Sequence, residues 1–164
     1  YTGEGQETRG LLEPDILYVA PLPKARQSSR QRMREIVNAY MQGIELHSGA
    51  AVPASERCDR YQAGRKFTNS YDVPVDRGGG TCQTSINNLK GQAVVNRRFP
   101  VIDESLGIAV GQFIITHGER APPNATNVAE VFKIVDGKIR SIEEFSFIGA
   151  FPPASGFPDE PAPR

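Results

Sequence analysis

Val131-Phe132-Lys133-Ile134-Val135-Asp136-Gly137-Lys138-Ile139-Arg140 is the stretch that decides the fold. Asp136-Gly137, set between two runs of β-branched and apolar residues, is a strong signal for a two-residue hairpin turn. It joins a strand over Thr126 to Val135 to a second over Lys138 to Phe147. Alternation in the first strand sets Val128, Glu130, Phe132 and Ile134 on one face against Asn127, Ala129, Val131 and Lys133 on the other. In the second, Ile142, Glu144 and Ser146 oppose Ser141, Glu143, Phe145 and Phe147. Both faces carry apolar residues, so helix packing alone cannot bury them; a pocket or a dimer interface is expected on the second face.

Working outward, Ile108 to Thr116 reads as a strand, preceded by Asp103-Glu104-Ser105 as a turn and by strand segments at Ala93-Val94-Val95 and Arg97 to Ile102. Together these make an antiparallel meander. Before it, apolar residues fall at Met33, Ile36, Val37, Tyr40, Met41 and Ile44, the three-and-four spacing of one buried helix face. Ser28 or Ser29 offers the N-cap, with Arg32 standing where a capping box prefers Glu. Gly43 costs about 1 kcal/mol against Ala within a helix, which points to close packing there. The helix is expected to end near Ser48-Gly49, with Gly taking the left-handed position.

Ala50 to Gly91 is the least regular part of the chain. The run Gly78-Gly79-Gly80 lacks both a following Lys-Ser or Lys-Thr and a preceding strand, so it reads as a flexible loop and not a phosphate cradle. Thr84 to Leu89 suggests a short helical turn. Near the start, Leu11, Leu12, Ile16, Leu17, Tyr18 and Val19, interrupted by Pro14, read as a short edge strand or a strap. Pro152 to Arg164 holds five prolines and reads as an extended arm that Phe151 and Phe157 would anchor. The chain thus divides into an N-terminal arm or strap over 1–27, a folded unit over 28–150 and a proline-rich arm over 151–164.

The 164 residues suit one compact domain. Lys and Arg number 19 and Asp and Glu 19, a formal net charge of zero that gives no broad attraction for phosphate backbones or anionic lipid. Nucleic-acid and membrane partners are therefore not expected; a small molecule or a protein is. No apolar run reaches the roughly 18 to 20 residues that span a bilayer. The chain opens on Tyr1, so a leader removed from it would leave no trace.

Cys58 and Cys82 are too far apart for a CxxC redox or zinc pair. Two readings stand: one disulfide, closing a loop short of apolar residues, or two buried free thiols in a cytoplasmic protein. The first suits a periplasmic or secreted protein.

One amphipathic helix, an irregular middle and a C-terminal meander ending in the Phe-Lys-Ile-x-Asp-Gly-Lys-Ile stretch resembles the nuclear transport factor 2 and SnoaL-like superfamily. Ala39-Tyr40-Met41, Cys58-Asp59-Arg60-Tyr61-Gln62-Ala63-Gly64, Cys82-Gln83 and Arg97-Arg98-Phe99-Pro100-Val101-Ile102-Asp103-Glu104 are similar to a SnoaL-like group found in fungi and bacteria. The resemblance covers about Ser28 to Phe147. It implies an α+β fold in which the N-terminal helix packs on a strongly curved antiparallel sheet, forming a cone with an internal pocket. Members include ketosteroid isomerase, limonene epoxide hydrolase, scytalone dehydratase, polyketide cyclases and bacterial lyases that release formaldehyde from lignin-derived diarylpropanes. These use an acid and a base around a hydrophobic substrate with no metal and no organic cofactor. Other members bind ligands without catalysis or form homodimers through the sheet.

His117 follows the strand Ile108 to Thr116 in phase with Phe113 and Ile115, and an imidazole exchanges protons near neutral pH, so His117 is a candidate acid or base. Tyr40, in the middle of the buried helix face, is a candidate donor to a developing oxyanion, or simply a buried tyrosine with a satisfied hydroxyl. Arg60 and Tyr61 are candidate catalytic or substrate contacts, with Asp59 orienting them. His47 at the helix end, Arg97, Phe113 and Glu130 complete the candidate substrate-binding set. Arg97 and Arg98 face opposite ways if extended, and Glu130 becomes a base with a raised pKa only if its face lines the cavity. No HExxH, CxxC or clustered His and carboxylate spacing supports a metal, and no nucleophile elbow or dinucleotide fingerprint occurs. Asn124-Ala125-Thr126 is a glycosylation sequon, meaningful only in a protein secreted from a eukaryotic cell.

The expected function is therefore a cofactor-independent lyase, dehydratase or isomerase acting by general acid and base catalysis on a small apolar, aromatic substrate, for example a diarylpropane diol. The other expectation is a non-catalytic binding or dimerisation module of the same fold.

Overall fold

The structure is a computed structural model describing residues 15–89, 93–117 and 124–150, without the side chains of Asn124 and Ala150. Expectations for Leu11, Leu12, Pro14, Phe151 and Phe157 lie outside these residues. Helix α1 (Ile16–Val19) is a single turn; α2 (Arg30–Leu46) is the long helix. Six strands follow: β1 (Ala54–Gln62), β2 (Arg65–Lys66), β3 (Ala93–Asp103), β4 (Ile108–Thr116), β5 (Asn124–Val135) and β6 (Lys138–Ala150). They form one curved, open sheet in the order β2-β1-β6-β5-β4-β3. All pairs are antiparallel except β1 with β6, which is parallel.

The hairpin forms as the sequence dictates. Asp136 and Gly137 both take positive φ, 54° and 71°, the geometry whose twist matches that of the flanking strands. The ladder it starts does not run straight: register shifts between Lys133 and Ile134, leaving Arg140 without a partner, so Lys133 pairs with Ser141 while Ile134 pairs with Ile139. β3 is one continuous strand where two segments were expected, with register shifts around Asn96, which sits at φ 53°.

Helix α2 begins where Ser29 accepts the Arg32 N–H. Its face of Met33, Ile36, Val37, Tyr40, Met41 and Ile44 is buried throughout against Ala109, Phe113, Val128, Phe132, Ile134 and Ile142 of the sheet. Each large side chain so buried contributes roughly 1.5–3 kcal/mol of transfer free energy. Close approach is possible because Gly111 lies beneath the helix: a Cβ there would stand 2.8 Å from Met41 Cε. Gly43 likewise packs tightly, as expected, against Ser48 and Val52.

Three expectations are corrected. The helix ends on His47 in the left-handed conformation, not on Gly49; Gly49 serves instead where a side chain would overlap the Gln83 carbonyl. Ala54–Gln62, placed in the irregular region, is a strand whose buried positions are Cys58 and Arg60, so it lacks the apolar alternation that announces one. Ile16–Val19 is helical, with Asp15 accepting the Leu17 N–H. Beyond it the chain crosses the outside of the hairpin as a strap. Tyr18 donates to Ser141, Leu22 N–H donates to the Ser105 carbonyl, and Lys133 Nζ, buried below, donates to the Ala20 and Leu106 carbonyls. Burial holds the Lys133 amine below its usual range.

The remainder of the outer face carries a groove of about 430 Å³ lined in part by Gln112, Ile114, Asn127, Ala129, Phe145 and Phe147. This is the second apolar face that the strand alternation implied. No helix among the described residues is long and apolar enough to cross a membrane.

Candidate active site

A cavity of about 460 Å³ opens between α2, the inner face of the sheet and the segment running from Phe67 to Leu89. Strand alternation builds it. Inward positions of β4 supply Phe113 and Ile115, continued by His117; β5 supplies Thr126, Val128 and Glu130; β6 supplies Glu144 and Ser146; β1 supplies Arg60 and Gln62. Tyr40 enters from the helix.

Its floor is a charged cluster beneath walls that are apolar at Phe67, Phe113 and Val128 and polar at Gln62, Asp76 and Arg77. Glu130 and Glu144 are direct cross-strand partners, an arrangement that is unfavourable when both are ionised. Two features relieve it. Arg60, 4% exposed, forms a buried ion pair with Glu144 through Nη1 and lies over the Phe67 ring, its guanidinium carbon 5.1 Å from the centroid. Glu130, 1% exposed, is held well above the usual carboxylate range by burial and then by the Glu144 charge; Arg60 and the Tyr40 hydrogen bond oppose this without cancelling it. Two buried carboxyls thus face one guanidinium, which is paired with Glu144, so Glu130 is the member of the pair pushed toward its protonated form.

Tyr40 donates its hydroxyl to Glu130 Oε1 at 2.9 Å and packs edge-on to Phe132. Burial pushes its phenol well above the ordinary value, so it stays neutral. With Tyr40 donating to Oε1, the oxygen that takes a proton when Glu130 is neutral is Oε2. That oxygen and Arg60 Nε are both buried without a hydrogen-bond partner.

His117 lies at the rim, its Nε2 2.6 Å from Thr126 Oγ1. The structure thus gathers Tyr40, Arg60, Phe113, His117 and Glu130 at one cavity. It places the other candidates elsewhere. Asp59 and Tyr61 flank Arg60 in sequence and so lie on the opposite face of β1; Asp59 pairs with Lys66 at 3.0 Å and accepts from Asn69. His47 sits at the helix end with Nδ1 2.6 Å from the Leu89 carbonyl oxygen. Arg97 ties β3 to α2 by an ion pair with Glu45 and a hydrogen bond to Asn38, while Arg98 lines the outer groove. Arg97 and Arg98 do face apart, and neither lines the cavity.

Cys58 and Cys82 are bridged, which resolves the open alternative in favour of the disulfide. The bridge ties β1, two residues from Arg60, to the segment that supplies Phe67, Asp76, Arg77, Gly78, Asn88 and Leu89 to the cavity wall.

Glu144 and Phe67 are the residues that sequence reasoning missed. Glu144 shares a face with Ile142 and Ser146, but counting back from the turn without the bulge pairs Glu130 with Glu143. Phe67 stands in a segment with no periodicity.

No curated protein matches the chain. Among solved structures, PrhC from Penicillium brasilianum superposes with a TM-score of 0.52 at 16% identity, covering 73% of this chain and 83% of that one. A Bacillus subtilis protein named as a candidate isomerase gives 0.52 at 12% identity, covering 71% and 87%. An NTF-2 like protein of unknown function from Burkholderia xenovorans gives 0.48 at 13% identity, covering 77% and 89%. At the identities of the first two the likeness concerns the fold: a helix on a curved sheet, as the resemblance implied. A family model, described as Domain of unknown function (DUF8021), matches residues 26–146, which takes in α2, the first five strands, β6 as far as Ser146 and every residue of the cavity floor. The chain belongs to that family.

Proposed function

We propose that the chain is a cofactor-independent enzyme, a lyase, dehydratase or isomerase, in which Glu130 delivers a proton to an oxygen of a small, largely apolar substrate. One observation carries this reading. A buried carboxyl, pushed toward its neutral form, has one oxygen fixed by Tyr40 and the other unpartnered at the floor of the cavity. Tyr40 acts through Glu130 as a positioning residue and does not itself meet the substrate. The Arg60–Glu144 pair supplies the cation that stabilises the carboxylate left when the proton departs. Phe113, Val128 and Phe67 provide an apolar wall suited to an aromatic or alicyclic body. His117 at the rim is the second proton carrier. The Cys58–Cys82 bridge suits a protein of an oxidising compartment.

Purified protein incubated with aryl ketones, aromatic alcohols and diarylpropane diols, and assayed for isomerisation, water loss or released formaldehyde, tests turnover. On any substrate found, Glu130→Gln keeps the shape but cannot give up a proton in this way, so kcat should fall at least 100-fold. Full activity of Glu130→Gln would exclude Glu130 as the acid. Tight ligand binding with no turnover across the set would favour a binding module instead.

A further inference from the structure

The polar atoms of the cavity floor can be matched one by one. Tyr40 donates to Glu130 Oε1. Arg60 Nη1 donates to Glu144 Oε2, and Ser146 donates to Glu144 Oε1. The Arg60 backbone N–H donates to Thr68 Oγ1. Among the fully buried side-chain atoms that line the cavity, those left over are Arg60 Nε and Glu130 Oε2, on residues 4% and 1% exposed. Nε of a guanidinium is a donor and cannot accept; Oε2 of the neutral carboxyl carries its proton. Both unmatched atoms are donors, and buried donors without acceptors are costly.

The matching partner is an oxygen that accepts twice and brings no hydrogen of its own. A carbonyl oxygen has two in-plane lone pairs and meets this need. A hydroxyl brings a third donor into a floor whose unmatched atoms are already donors. A carboxylate brings a charge next to two carboxyl groups, where the cation of the floor, Arg60, is already paired with Glu144 and the second lining cation, Arg77, belongs to the wall beside Asp76. We propose that the cavity binds a neutral carbonyl compound, a ketone, aldehyde or enone on a small apolar body, with its oxygen seated between Arg60 Nε–H and Glu130 Oε2–H. This rests on the reading of Glu130 as the acid, and it narrows the substrate class from aromatic alcohols to carbonyl compounds.

Benzylideneacetone, a neutral aryl enone, is the probe, with its allylic alcohol and cinnamate as matched controls. Titration by calorimetry and by the enone absorption band reads the site. The enone should bind at least about tenfold more tightly than either control, corresponding to about 1.4 kcal/mol, and its band should move to longer wavelength as the carbonyl is polarised. Glu130→Gln, whose amide N–H replaces the acid proton, should keep both effects within about threefold; Glu130→Leu should lose the band shift. In the native protein affinity should fall as pH is raised and Glu130 ionises, while Glu130→Gln should be flat. Equal binding of enone and alcohol, an unshifted band, or an unchanged Glu130→Leu variant whose fold is intact by circular dichroism would overturn the proposal. Enone binding with the shift but no turnover would refute the enzyme and leave this inference standing; turnover of alcohols without enone binding would do the reverse.

Discussion

Replacing Glu130 by Gln isolates the cost of keeping a proton in the core. The wild-type carboxyl starts from an ordinary value near 4.5 in the unfolded chain and lies well above it when folded, chiefly through burial and then through Glu144. Between those two values the native state holds a proton that the unfolded chain has released. The slope of unfolding free energy with pH equals 2.303RT times the protons bound by the unfolded minus the native state, and is therefore negative for this group. One proton gives at most about 1.4 kcal/mol lost per pH unit. The contribution is fully present below about pH 4.5 and declines as pH rises toward the folded value. Gln keeps the Tyr40 hydrogen bond and the volume but binds no proton. Urea unfolding of both proteins at half-unit steps from pH 5 to 8 should show the wild type losing stability relative to Glu130→Gln, by up to about 3 kcal/mol over the first two units. Titrating groups that do not touch Glu130 cancel in the difference, and Glu144 keeps its ion pair with Arg60 in both proteins. A difference that stays flat across this range would refute a neutral Glu130 and, with it, the assignment of a proton to Oε2.

Tyr40→Phe removes the donor to Glu130 Oε1 and leaves a buried acceptor unmatched; denaturant unfolding at pH 6 should show a loss of about 1–3 kcal/mol. If Tyr40 acts by positioning, the same variant should lower kcat on any substrate found while leaving KM within a few-fold, and should displace the pH profile. Reducing the Cys58–Cys82 bridge, or replacing both by Ser, should cost about 3 kcal/mol by releasing the closed loop in the unfolded chain, read as a lower urea midpoint. Ligand affinity should also fall, because the bridge holds the Phe67 wall against β1. Gly49→Ala should destabilise by roughly 1–3 kcal/mol, since its methyl overlaps the Gln83 backbone. A change near zero in thermal or denaturant midpoint would remove Gly49 from the packing argument.

Legibility in the sequence followed signal strength. Asp136-Gly137 and the alternation around it specify the hairpin locally, because positive φ at two successive positions is cheap only for such residues. Met33 through Ile44 specify the buried helix face by period alone. β1 stayed hidden because its inward residues are Cys58 and Arg60, whose burial depends on a disulfide and an ion pair from distant segments. The same strand explains the misplaced Asp59 and Tyr61: adjacent in sequence to Arg60, they point the other way once the backbone is extended.

The sequence by itself determined the class of fold, the helix on an antiparallel meander, and the phase that puts Glu130 with Phe132 and Ile134. These are local properties of period and turn chemistry. Only the tertiary structure decided that this phase faces inward, and that the bulge at Arg140 sets Glu144 rather than Glu143 opposite Glu130. It also brought Arg60 from a parallel strand to neutralise one of the two carboxylates. The upward push on the Glu130 pKa follows from burial and from that register, and neither is encoded in any short stretch of the chain.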